Sequence, residues 1–161
     1  MVVALVAVHA ARATAIRMLA LDDIDLTARR VRIDGHVEPL SELVHRAVVA
    51  WLEHRQRTWP RTPNRHLLIS EASATGTGPV SDFFLSFHLL LRGVHLEHIR
   101  GDRVVQEALA VGADPLHLAE AFRLSAWTAV TYAHIARSLL ERPIEAVAPS
   151  GNLAHEDSPA H

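Results

Sequence analysis

The sequence predicts an α+β fold that is predominantly helical, with a small antiparallel β-hairpin or sheet packed beside a helical bundle. Three observations carry this. Apolar residues recur at helical spacing through most of the chain, as in Leu43, Val44, Ala47, Val48, Trp51 and Leu52. One place reads as paired strands: Arg30-Val-Arg-Ile33 and His36-Val-Glu-Pro-Leu40 flank Asp34-Gly35, a pair suited to a tight turn because glycine tolerates positive φ. At 161 residues, 49% hydrophobic and 21% charged, the chain is long enough for one domain with a real core and short for two. We expect that domain over residues 1–142, followed by a flexible tail over 143–161.

Residues 3–21 are helical in pattern with a break near 10–13, and the acidic Asp22-Asp-Ile-Asp25 closes that segment. This stretch reads as a core helix, or as the start of a domain whose upstream partner is missing. In the hairpin, Val31, Ile33 and Val37 are expected to form the buried faces. Ser41 then caps a helix that runs to about residue 57, the best-defined helix of the chain. Residues 58–65 are a Pro- and Arg-rich loop, Leu67-Leu-Ile-Ser70 is a short strand candidate, and 71–79 is a loop of small residues. Ser81-Asp82 cap a helix over 83–91. Further helices are expected over 96–111, stopping at Gly112, over 115–122 and over 128–141.

Composition removes several classes of chemistry. There is no cysteine, which excludes disulfides, thiolate catalysis and Cys-based zinc sites. All 16 basic residues are arginine, so no step can use a lysine. The formal net charge is -2; without Glu145, Glu156 and Asp157 of the tail the sixteen arginines face fifteen acids, and the domain is nearly neutral. The apolar start is interrupted by His9, Arg12 and Arg17, far short of the roughly 20 residues of a membrane span, and it has no preceding positive charge. The expected setting is cytoplasmic, away from a membrane.

Four motifs follow one another. Ala10-Ala-Arg12-Ala-Thr-Ala-Ile-Arg-Met-Leu19 precedes Leu21-Asp-Asp-Ile-Asp25, and Val37-Glu-Pro-Leu40 precedes the long helix. Glu97-His-Ile-Arg100 runs to Gly112-Ala-Asp114, and Phe122-Arg-Leu124 comes before Tyr132, the only tyrosine. In this order they resemble the catalytic domain of the tyrosine recombinases, or phage integrases. That family has an arginine within Gly-Leu-Arg-x-Ser-Glu-Leu-x-x-Leu before an Asp-Ile-Asp turn, and an Arg-x-Val-Pro-Leu step after the hairpin. A His-x-x-Arg helix running to Gly-x-Asp, a Leu-Gly-His stretch and the tyrosine follow. The resemblance covers roughly residues 2 to 142.

The resemblance implies site-specific recombination or integration of double-stranded DNA. Arg12 and Arg100, with Arg103 the alternative to Arg100, would grip the non-bridging oxygens of one phosphodiester, since a guanidinium offers a bidentate fork to such a group. Tyr132 would attack in line and form a 3'-phosphotyrosyl link. No metal or nucleotide cofactor is implied. The family's hairpin lysine is missing, and His36 stands at the turn instead. Glu97 stands where the motif's first histidine belongs, with His98 beside it, and Leu124 replaces the later one. Each lost proton-transfer group removes about 10²- to 10⁴-fold, so the implied activity is impaired or lost. A separate DNA-clamping domain usually precedes this one in the family and finds no room here. Members assemble on DNA as homo-oligomers by exchanging C-terminal segments, for which Leu139-Leu140 and Ile144-Glu-Ala-Val147 are the apolar candidates.

Plainer readings stand beside this one. Arg12 would close a helix end or pair with Asp22 or Asp23, Arg100 would pair with Glu97 three residues away, and Tyr132 would pack on Phe122 and Trp127. His95 and His98 have a metal-like spacing but no third ligand, and no metal site is expected. A different class of function is a non-catalytic DNA-binding module. Residues 118–133 resemble a helix-turn-helix with Val130 buried and with Trp127, Thr128, Thr131 and His134 available to the major groove. In either case Arg55, Arg57, Arg61 and Arg65, near Trp51 and Trp59, are candidates for phosphate contacts.

Overall fold

The computed structural model of the protein describes residues 1–141, so the expected tail and the segment 144–147 lie outside the described residues. Helix α1 (Val2–His9) is apolar around its whole circumference because it is wedged between two later helices, α3 (Glu42–Thr58) and α5 (Leu96–Ala110). It ends at Ala10, whose φ of 48° turns the chain into the short α2 (Ala13–Met18), with Arg12 as the residue preceding the helix. The acidic stretch forms a helical turn, Leu21–Asp23, in which the Asp23 carboxylate accepts the Ala20 N–H at 2.9 Å. It leads into a strand that the sequence did not announce, β1 (Ile24–Asp25).

Strands β1, β2 (Arg30–Ile33) and β3 (His36–Pro39) form an antiparallel sheet in that order. Ile33 pairs with His36 across Asp34 and Gly35, whose φ values of 49° and 81° are those of the turn the pair favours. Val31 and Ile33 are buried, but Val37 is 55% exposed, contrary to expectation. Its register explains this: Val37 lies opposite Arg32, on the outer face.

Ser41 caps α3 by accepting the Val44 N–H, and Val44 and Val48 face the core. Residues 67–70, expected as a short strand, form none, although Leu67, Leu68 and Ile69 are buried. Just before it, His66 forms an isolated bridge with Ala20, and α3 side chains take the carbonyls of Asn64, His66 and Leu67. The Trp51 indole donates to Leu67 O at 2.8 Å, and Arg55 donates to His66 O at 2.7 Å and to Asn64 O. Helix α4 (Asp82–Leu90) follows its Ser81 cap.

Beyond α5, α6 (Pro115–Phe122) begins at the Asp114 cap, and α7 (Ala126–Leu140) at Ser125, two residues before the expected start. The reason is local: the Ser125 hydroxyl accepts the Thr128 N–H, which commits residues 126 and 127 to the first turn. The core has two main parts. One joins α1, α2, β2 and α3 through Leu5, Ile16, Ile33 and Val48; the other joins α5, α6 and α7 through Val104, Leu118, Ala129 and Ala133, with Ala10 reaching into it.

Candidate functional site

The α1–α2 corner lies where the two parts of the core meet. The left-handed Ala10 offers its carbonyl to α5, and Arg100 Nε donates to it at 2.9 Å. Arg100 is thereby held at 8% exposure. Across the same cavity, Arg12 Nη2 donates to the carbonyl of Arg123 at 2.9 Å; Arg123 closes α6 with a φ of 52°. Arg12 and Arg100 line one cleft of about 340 Å³ with Thr14, Glu97, Ser125 and Thr128.

Both tethers run to neutral main-chain oxygens, so they orient the guanidinium groups without cancelling their charge. Among the described residues Arg12 has no carboxylate partner, so the expected pairing with Asp22 or Asp23 is not formed. Glu97, on the rim, is 3.9 Å from Arg100 and supplies the cleft's one negative charge. The N-terminal turn of the fifteen-residue α7 opens on the cleft, and its positive end adds to a field that favours an anion.

Tyr132 stands one helical turn beyond Thr128 on α7. Its ring is half-buried in the second part of the core, as is Phe122, but Trp127 is 79% exposed and takes no part in that packing. The hydroxyl does not line the cleft. It lies against α5 at Gly101, the residue after Arg100: a β-carbon there would sit 3.2 Å from the phenol oxygen.

The remaining candidates separate. Arg103 points away from the cleft, donating to Val8 O, pairing with Glu107 at 2.9 Å and lying over the Phe122 ring; this hydrogen bond from Arg103 is the main cause that holds the Glu107 carboxyl below its ordinary range. His98 is exposed on α5 and stacks on His95, outside the cleft. His36 is exposed at the hairpin. Thr128 lines the cleft, whereas Thr131 and His134 are exposed. Val130, expected inside, is 56% exposed: Ala129 and Ala133 are the residues that face α5 and α6, and Val130 lies outside that stripe. Arg57, Arg61 and Arg65 are exposed, but Arg55 is 6% exposed and leaves the set of surface arginines. Burial lowers its pKa, and its donors are spent on the loop carbonyls.

Sequence reasoning missed Arg123. Its guanidinium donates to Glu38 at 2.8 Å and lies 3.8 Å from Asp34, while its carbonyl holds Arg12, so it ties the hairpin to the cleft. Glu38 also accepts from the buried His9 Nδ1 at 2.8 Å, and this bond is the main cause that holds its carboxyl below the ordinary range. The signal available in the sequence was only a basic residue between two helices. Among the described residues no group of three metal-ligating side chains is gathered, and no helix is long and apolar enough to cross a membrane.

The helical body with its small three-stranded antiparallel sheet has the fold of a tyrosine recombinase catalytic domain. XerA recombinase, known from its crystal structure, is similar to this chain with a TM-score of 0.67 at 18% identity, over 86% of this chain and 54% of that one. The chain therefore spans about half the length of that recombinase. No protein-family model and no curated protein matches the sequence.

Proposed function

We propose that the protein binds double-stranded DNA and acts in site-specific recombination, with the cleft between the start of α2, α5 and the start of α7 taking one phosphodiester. The observation that carries this is the convergence of Arg12 and Arg100 on a single cleft at the start of α7, each oriented by a main-chain carbonyl. Two such donors stabilise the charge that builds on the non-bridging oxygens as phosphorus becomes five-coordinate. Arg100, rather than Arg103, fills the second position in this reading. Tyr132, one turn along α7, is the nucleophile: its oxygen gives up its proton to solvent and bonds to phosphorus, the P–O5' bond breaks, and the 5'-oxygen leaves as a hydroxyl by taking a proton from solvent, which gives the 3'-phosphotyrosyl link. With no lysine, and with Glu97 and Leu124 at the histidine positions, cleavage is slow, each missing group removing about 10²- to 10⁴-fold. Exposed Leu139 and Leu140 at the end of α7 support self-association on DNA.

The test is a duplex carrying a nick that traps the covalent product. A slow adduct with the wild-type protein, lost in Tyr132→Phe, is expected; an undiminished adduct in Tyr132→Phe rejects this nucleophile, and no adduct at all rejects cleavage. A second reading, a binding module that lays α7 in the major groove, draws on Trp127, Thr131 and His134 exposed on that helix. It requires Trp127→Ala and Thr131→Ala to weaken specific binding while Arg12→Ala leaves it unchanged.

A further inference from the structure

We infer that Gly101 is a positioning residue, the seat that admits the Tyr132 hydroxyl against α5 beside Arg100; its part in strand cleavage rests on the function proposed above. Glycine is among the least favourable residues for a helix interior, and Gly101 lies well inside the fifteen-residue α5. No backbone need accounts for it, since its φ is ordinary for a helix. What accounts for it is the phenol. The three nearest atoms to a β-carbon built there all belong to Tyr132: the hydroxyl oxygen at 3.2 Å, Cε1 at 3.8 Å and Cζ at 4.0 Å. Only the oxygen is closer than ordinary van der Waals contact. A methyl group at residue 101 would therefore press on the hydroxyl and make it give way by a few tenths of an ångström. Gly101 directly follows Arg100 in α5, so the helix that seats the phenol also carries the guanidinium that lines the cleft, and a shift of the ring on that seat moves the phenol relative to it. Misplacing a reacting group by about 1 Å can cost 10²-fold.

This specific contact defines a double-mutant cycle. In a Tyr132→Phe background the crowding oxygen is gone, and Gly101→Ala raises Tm by about 3 °C through helix propensity alone; in the wild-type background the same change gives no rise. The single tyrosine supplies a second readout. Fluorotyrosine labelling gives one fluorine resonance, and Gly101→Ala shifts it. On the nicked duplex, Gly101→Ala slows adduct formation about 2- to 5-fold with an unchanged Kd for DNA. Equal Tm changes in both backgrounds together with an unmoved resonance overturn the seat. An unslowed adduct overturns its part in positioning. Failure of the wild-type protein to form any adduct overturns strand cleavage, and with it that part, while the cycle and the resonance still decide whether the seat exists.

Discussion

Arg100 is buried and yet lends its charge to a cleft, because one edge of its guanidinium is held by Ala10 O while the rest faces the cavity. Arg12 performs the same task from an exposed position. The two substitutions should therefore differ. Arg12→Ala lowers the slope of DNA affinity against salt by about 1 and changes stability by at most about 0.5 kcal/mol. Arg100→Met lowers the slope equally but also costs about 2 kcal/mol, because a buried carbonyl loses its charged donor. Chemical unfolding and titrations at several salt concentrations separate the two. Glu97→Gln removes the one acid from the cleft and should tighten DNA binding about fivefold at low salt; weaker binding would show that the carboxylate serves the ligand. The sequence singled out Arg12 and Arg100, which line one cleft, and Tyr132, whose hydroxyl lies outside it. The roles of Arg55 and Arg123 were not legible there, since an arginine's direction depends on carbonyls that only the folded loops bring near it.

The elements were mostly legible, and their failures have local causes. Helix α3 begins at the Ser41 cap and α6 at residue 115, both as expected, and the hairpin turns on Asp34-Gly35. Residues 67–70 showed strand composition, but main-chain pairing with residues 19–21 stops at Leu67, whose carbonyl is taken by the Trp51 side chain. The hairpin docks through Glu38, whose carboxyl is held low by His9 first and then by Arg123. A carboxyl with a lowered folded pKa adds stability above its unfolded value and loses it as pH falls through the folded value. Below about pH 4 the contribution of Glu38 should fade, and Glu38→Gln should flatten the acid limb of a melting profile. An unchanged limb would show that the docking does not depend on that charge. Ser125→Ala, which removes the cap of α7, should cost about 1 kcal/mol.

At the scale of the molecule, two core regions share one seam, and the long segment from 59 to 80 is held to α3 by the side chains of Trp51 and Arg55 and to residues 19–21 by main-chain hydrogen bonds. Arg55 is the strut. Arg55→Leu leaves one buried and one half-buried carbonyl without donors and should destabilise the protein by about 3 kcal/mol in chemical denaturation. It should leave the salt dependence of DNA binding unaltered, whereas Arg57→Ala, Arg61→Ala or Arg65→Ala would each lower that slope by about 1 if the surface arginines meet phosphate.

The carbonyl tethers on Arg12 and Arg100 have a thermodynamic corollary. Folding gathers two guanidinium charges at the mouth of a helix without supplying a counter-ion for both, so the native state carries a standing electrostatic debt that any small oxyanion relieves. Inorganic sulfate should therefore protect the native chain beyond what chloride of equal ionic strength achieves, by about 1.4 kcal/mol at tenfold excess over its Kd. That protection should vanish when either arginine is removed.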